Sequence, residues 1–227
     1  MSLTYAIPDL HGRLDLLERA LSRILEHAGH QTARVITLGD YVDRGPNSRE
    51  VIEFLMRWSY PNLQLTALKG NHEAMMWEAC NNLVEATWWI ENGGTETLAS
   101  YGEFIPGMPL RTVVPPHHLA WIAELPTLFA DSKRVFVHAG LDPRLPLSQQ
   151  SERTLLWKRY PKRGASGHGS RHVVHGHDAD ERAPLVSSGK TNLDAMAWKT
   201  GRLVVGVFAD ELPGGAVEFL EVLESQL

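Results

Sequence analysis

The sequence predicts an α/β fold built in layers, and three observations predict it. Five short apolar or β-branched runs each end in an acid, an amide or a histidine. The first three are followed by apolar residues at helical spacing, so strand, polar loop and helix alternate. Near the C-terminus two more strand-like runs flank a turn-rich segment.

The first run, Leu3 to Ile7, stops at Pro8 in "AIPDLHGR". If the chain is still extended there, Asp9 and His11 share a face, because side chains alternate with a period of two. After Gly12, residues Leu14, Leu17, Leu21, Ile24, Leu25 and Ala28 mark a helix, with Gly29 placed to stop it. The second run, Arg34 to Leu38, precedes "GDYVDRG"; Val51, Ile52, Leu55 and Met56 then mark a helix with Asn47 or Ser48 as N-cap. The third run, Leu63 to Leu68, precedes "KGNHE".

From about Met75 to Ala130 the character changes. "WEACNNLVEATWWIENGGTETLASYG" and "PPHHLAWIAELPTLF" read as helices broken by Gly-Gly and Pro-Pro. They predict a mostly helical insert or cap (75–130) between two halves of a sheet, within a single domain, 1–227. Strands then return at Arg134 to Val137 before "HAG" and at His172 to Val174 before "HGH". Between them "PKRGASGHGS", Pro161 to Ser170, has the composition of a mobile surface loop. "RLVVGVFAD" and "AVEFLEV", joined by "ELPGG", predict an antiparallel hairpin.

The chain has 227 residues, enough to bury a full core, with 43% hydrophobic and 22% charged residues. A net charge of −5 argues against nucleic-acid and membrane-surface binding, which need a basic excess. The single cysteine, Cys80, cannot form an internal disulfide and fits a reducing compartment. The chain enters its first strand without a basic and then apolar leader, and no apolar run reaches bilayer length. The expected location is the cytoplasm, with no membrane partner.

In open α/β sheets, ligands bind at the carboxyl ends of strands, where each polar cluster lies. These clusters hold Asp9 and His11, then Asp40, Asp43 and Arg44, then Asn71 and His72, then His138, then His175 and His177. Each alone reads as an ordinary polar turn. Together they supply carboxylates, a carboxamide and imidazoles, with no thiolate pairing, which disfavours a structural zinc site. Two metals sharing a carboxylate would use this many ligands.

In this order, Asp-x-His, Gly-Asp-x-x-Asp-Arg-Gly, Gly-Asn-His-Glu, His-x-Gly and Gly-His resemble the calcineurin-like binuclear metallophosphoesterases of the phosphoprotein phosphatase family. The likeness is to their bacterial and phage members, which include serine/threonine phosphatases and symmetrical diadenosine tetraphosphatases. "WIENGGTETLASYG" and "LLWKR" also resemble segments of that branch. The resemblance implies a central two-sheet β-sandwich flanked by helices, which strand and helix alternation alone would not predict.

It further implies that Asp9, His11 and Asp40 hold one divalent ion, and that Asp40 bridges to a second completed by Asn71, His138 and His177. A hydroxide bridging the ions would attack phosphorus; Mn²⁺ is the expected metal, with Fe or Zn²⁺ compatible with the donors. His72 would protonate the leaving oxygen, with Asp43 holding its imidazole. Arg44, Asn71 and Arg159 would bind phosphate. For Arg159 the competing reading is a solvated basic loop with Lys158, Lys162 and Arg163. His175 is expected behind the ligands, and Trp88 and Trp89 either pack in the core or stack on substrate.

Four positions depart from the usual pattern: Pro8, Ala139, Asp178 and the Ala195-Met196 pair in "NLDAMAW". None removes a ligand. Pro8 has no N–H to donate and is expected to stiffen the approach to Asp9 through a trans bond. Ala179 stands where nuclease-like branches carry a second histidine. The expected reaction is hydrolysis of phosphomonoesters, including phosphoproteins. The alternative is hydrolysis of dinucleoside polyphosphates, and a metal-binding regulator without catalysis is the third reading.

Overall fold

The computed structural model describes residues 2–81, 83–102, 108–160 and 167–224. In chain order, β1 (Leu3–Ile7), α1 (Leu14–Ala28), β2 (Ala33–Thr37), α2 (Ser48–Met56) and β3 (Leu63–Ala67) form the alternating first part. The helices α3 (Asn71–Asn81), α4 (Leu83–Trp89), α5 (Thr95–Tyr101) and α6 (Pro116–Glu124) follow. Then come β4 (Leu128–Ala130), β5 (Arg134–Val137), α7 (Glu152–Trp157), β6 (His172–His175), β7 (Leu185–Val186) and β8 (Lys190–Asn192). A short α8 (Ala197–Thr200) leads to β9 (Arg202–Ala209) and β10 (Glu218–Leu223).

The strands form two mixed sheets, ordered β10-β9-β1-β2-β3 and β4-β5-β6-β8-β7. Period-two alternation decides which face each residue serves. Ala6, Ile36 and Phe208 of the first sheet meet Phe136 and Val174 of the second, with Leu193 beside them. The opposite face of the first sheet, with Tyr5, Ile7, Val35 and Val207, packs on Leu17, Leu21 and Ile24 of α1 and Val51 and Ile52 of α2. The second sheet turns Val135, Val137 and Val173 toward Leu155 of α7. Full burial of such a side chain is worth about 1.5–3 kcal/mol, so patterning drives the layering. The result is the two-sheet sandwich with helices outside it.

The C-terminal hairpin pairs antiparallel, with Leu220 opposite Val205. Gly29 caps α1 at φ 59°, as its position predicts. Other details differ. The strand β2 starts and ends one residue earlier than its apolar run. The helical segment joins β3 of one sheet to β4 of the other, so it connects two sheets, not halves of one. Asn47 occupies the N-cap of α2 but makes no side-chain capping bond. Ser48 instead accepts a hydrogen bond from the Asp43 N–H at 3.0 Å, because that loop folds back over the helix start.

Among the described residues the one cis peptide is Ala183-Pro184, so Ile7-Pro8 is trans. The strand β1 ends at Ile7, so the missing N–H of Pro8 deprives no strand pair of a hydrogen bond. Residues 161–166 of the expected surface loop lie outside the described residues; 168 and 171 form a tight antiparallel bridge. No helix among the described residues is long and apolar enough to cross a membrane.

Candidate metal centre and active site

The carboxyl ends of parallel β1, β2 and β3 meet those of parallel β5 and β6 at one edge of the sandwich. The backbone ties this edge together: the Gly176 N–H donates to the His138 carbonyl at 2.9 Å, and Leu10 and His11 N–H groups both donate to the Asp40 carbonyl. Asp9, His11, Asp40, Asp43, Asn71, His72, His138 and His177 all converge here, each at most 8% exposed.

Asp9 and His11 do not reach the site by strand alternation, as an extended chain predicts. The strand has ended, and His11 sits at φ 44° with Gly12 at φ 66°. A tight turn, not the pleat, aims the pair. Of the six described non-glycine residues with left-handed φ, five are site residues: His11, Asp40, Asp43, Arg44 and His177. Such conformations persist where surrounding contacts impose them.

The hydrogen bonds select the imidazole tautomers. His11 Nδ1 lies 2.8 Å from the Val42 carbonyl, and His138 Nδ1 lies 2.9 Å from the Leu38 carbonyl. A carbonyl only accepts, so both Nδ1 atoms carry the proton and both Nε2 lone pairs face the centre. His11, Asp40 and His72 can offer ligand atoms within 4.8 Å of one another, and so can Asp40, His138 and His177. Asp40 belongs to both groups. Its Oδ2 is 3.6 Å from His11 Nε2, and its Oδ1 is 3.4 Å from His138 Nε2. Asn71 Oδ1 lies 2.8 Å from His138 Nε2, so that two acceptor atoms stand side by side as two ligands of one cation would. Asp9 accepts the His177 N–H with both oxygens at 3.2 Å.

Burial holds His11 and His138 well below the ordinary imidazole value and lowers His177 to about 3. They are therefore neutral, as ligands must be. Burial also pushes the Asp9 and Asp40 carboxyls well up, helped by Asp194 beside Asp9 and by Asp9 beside Asp40. A divalent cation would remove that penalty, so this donor set of carboxylate, imidazole and carboxamide fits two such ions. Arg44 already presents a cation to it. Its Nη1 donates to His11 Nε2 at 2.7 Å and its Nη2 to His72 Nε2 at 3.0 Å. The Arg44 guanidinium also lies over the Trp198 ring, 5.4 Å from its centroid.

His72 Nδ1 donates to Asp43 Oδ2 at 2.6 Å. Three residues that the motifs leave without a role complete this arrangement. Trp89 donates its indole N–H to Asp43, and Thr97 donates its hydroxyl to Asp43 Oδ1 at 2.7 Å. Glu73, fully buried, accepts the N–H groups of Asp40, Tyr41, Val42 and Gly70, holding the loops after β2 and β3 together. The signal for Glu73 was its charge within the "GNHE" segment. The "NGG" of the cap is also explained. Gly93, at φ 110°, accepts the Arg44 N–H through its carbonyl and leaves no room for a side chain against Arg44.

Arg159, His175 and the two adjacent tryptophans stand around this centre. Arg159 is 67% exposed at the rim, with Nη1 3.6 Å from Asp178 Oδ1. His175 donates from Nδ1 to the Gly176 carbonyl and faces the Tyr160 ring, outside both ligand groups. Trp89 is buried, whereas Trp88 is half-exposed and stacks on Trp157, whose edge meets the His177 ring.

The chain matches the calcineurin-like phosphoesterase family over residues 4–208. It is similar to the symmetrical bis(5'-nucleosyl)-tetraphosphatase of Neisseria meningitidis, 26% identical over 86% of this chain and 67% of that protein. It is similar to serine/threonine-protein phosphatase 2 of Escherichia coli, 33% identical, over 40% of this chain and 38% of that protein. The match therefore spans well under half of the latter's length. The crystal structure of a candidate diadenosine tetraphosphatase superposes with a TM-score of 0.65 at 21% identity, covering 97% of this chain and 93% of that one. With a carboxylate shared between two ligand groups, an imidazole of the first group backed by Asp43 and this match along most of its length, the chain belongs to the calcineurin-like phosphoesterase family and is a metal-binding hydrolase.

Proposed function

We propose that the chain is a two-metal phosphatase that hydrolyses phosphomonoesters. The observation that carries this reading is Asp40, which stands in both ligand groups, while His72, itself within reach of the first group, is tied through Nδ1 to Asp43. Asp9, His11 and Asp40 would hold one ion, and Asp40, Asn71, His138 and His177 the other. Mn²⁺ is the metal we assign from the family resemblance, and Fe or Zn²⁺ would suit the same donors. Two such ions supply an activated water and positive charge for phosphoryl oxygens when bound.

The protein's own groups do the rest. Arg44 binds the phosphoryl group with its planar fork, and Asn71 stands beside it. When Arg44 turns to substrate it releases His72 Nε2, which takes up a proton from water and gives it to the leaving oxygen. Asp43 holds the imidazole in line and stabilises its charge. Arg159 adds a further cation from the rim. The lone, buried Cys80 fits a reducing compartment, and we assign the cytoplasm.

A second reading is cleavage of the phosphoanhydride of a dinucleoside polyphosphate. It is favoured by the Neisseria tetraphosphatase, which aligns with 86% of this chain. Product analysis from a phosphopeptide and from diadenosine tetraphosphate, with Mn²⁺ added, tests both. Turnover of the phosphopeptide supports the first reading and symmetrical cleavage the second. A metal-loaded protein that turns over neither refutes both.

A further inference from the structure

A groove of about 510 Å³ adjoins the metal centre. It follows α3 outward from Asn71: Ala74, Trp77 and Glu78 lie at helical spacing on the side that lines it. Ile122 and Leu156 are buried and give it an apolar floor, and Trp157 of α7 closes it on the side of His177. The Trp157 and His177 ring centroids are 6.3 Å apart, so an occupant of the groove begins one ring's distance from the ligands.

The aromatic surface here is unusually open. Trp77 is 41% exposed and Trp88 is 43% exposed, the latter stacked on Trp157 at 27° with centroids 5.4 Å apart. Indoles left in water beside a reaction centre mark a binding surface. The charges on the groove cancel: Lys69 and Arg153 are matched by Glu78 and Glu152, and Lys69 Nζ lies 3.5 Å from Glu152. A groove of net zero charge with indole walls suits a flat neutral ring with hydrogen-bonding edges. It does not suit an acidic peptide or a nucleic-acid backbone, which need a surplus of cations.

We propose that this groove is a nucleobase subsite, taking the base of a nucleoside phosphate whose scissile phosphate lies at Arg44. The proposal rests on the phosphoesterase reading, takes up its nucleotide form and adds the residues that hold the base. The base stacks on Trp77 and Trp157, its polar edge meets Glu78 or Glu152, and Lys69 stands where the phosphate chain enters.

The test compares kcat/KM for diadenosine tetraphosphate and for phosphoserine in the Mn²⁺-loaded enzyme. Trp77→Ala should lower the nucleotide-to-phosphoserine ratio about ten- to hundredfold, as loss of base–aromatic stacking does. Trp77→Phe, which keeps a ring, should restore the ratio to within about threefold and excludes misfolding as the cause. A ratio unchanged in Trp77→Ala overturns the proposal. So does a variant that loses discrimination among phosphopeptides while handling the nucleotide normally, since the groove would then hold peptide. Adenosine without phosphate is followed by saturation-transfer NMR. Wild-type contact that Trp77→Ala abolishes supports the subsite even if no phosphoester is turned over, an outcome that refutes only the phosphoesterase reading. No contact in either protein overturns the subsite.

Discussion

Trp89 donates its indole N–H to both oxygens of the Asp43 carboxylate, at 3.0 Å each. Both residues are fully buried. With Thr97 on Oδ1 and His72 on Oδ2, the carboxylate is held from three directions and cannot rotate. An acid so fixed presents one oxygen to His72 Nδ1 in one geometry, which is what a directed proton transfer from Nε2 requires. Trp89→Phe keeps the ring and removes the donor. It should lower kcat about tenfold for phenyl phosphate and less than threefold for p-nitrophenyl phosphate, because a better leaving group needs less protonation. Equal losses on both substrates would show that Trp89 does not act through the acid.

Much of this was legible in the sequence, and the reason is local. The strand-ending clusters are short, and their residue types are those of one chemistry. Any fold that gathers the carboxyl ends of β1, β2, β3, β5 and β6 must therefore gather the candidate ligands. What was not legible depends on contacts between distant segments. Trp89 meets Asp43 across 46 positions, and Thr97 meets it across 54. Adjacent tryptophans look alike in a sequence, yet one is buried on the acid and the other stands in solvent. The turn at His11 was misread for a related reason. Periodicity assumes the strand continues, and the Asp40 carbonyl captures the Leu10 and His11 N–H groups instead.

Met196 gives the departure in "NLDAMAW" a measurable consequence. It sits at φ 58°, ψ 49°, the left-handed region in which a side chain crowds the following carbonyl. Glycine pays no such cost but gains freedom in the unfolded chain. The balance favours Met196→Gly by about 0.5–1 kcal/mol. Urea unfolding should show a higher midpoint with an unchanged slope. A lower midpoint would mean that the half-buried Met196 side chain contributes more than its backbone strain costs.

His118 sets a pH dependence away from the metal centre. It is buried on α6, with Nδ1 2.8 Å from the Tyr101 hydroxyl. Burial, then the neighbouring His117, lower it to about 4 from an ordinary 6.5; Glu53 opposes this shift, and Arg49 and Arg57 add to it. The folded state thus resists a proton that the unfolded chain accepts. The stability at stake is complete above pH 6.5 and is lost as pH falls from 6.5 toward about 4. The thermal midpoint of the metal-chelated protein should therefore fall more steeply below pH 6.5 than that of His118→Asn. Parallel curves would remove His118 as the source.

The final prediction separates holding metal from moving a proton. Asp40 is common to both ligand groups, so Asp40→Asn should cost both ions, read as less than one metal per chain by elemental analysis. His72 is the informative contrast, because geometry alone admits it to the group with His11 and Asp40. Its Nδ1 is committed to Asp43 at 2.6 Å, and its Nε2 is 3.9 Å from Asp40 Oδ2, farther than that of His11 at 3.6 Å. A residue with an acid behind it and a longer reach to the shared carboxylate is placed to give a proton. His72→Asn should therefore keep two metals per chain and lose roughly 10²–10⁴-fold in kcat. Loss of one metal in that variant would make His72 a ligand and leave Asp43 to orient it as such. Full metal with full turnover would remove it from the chemistry altogether.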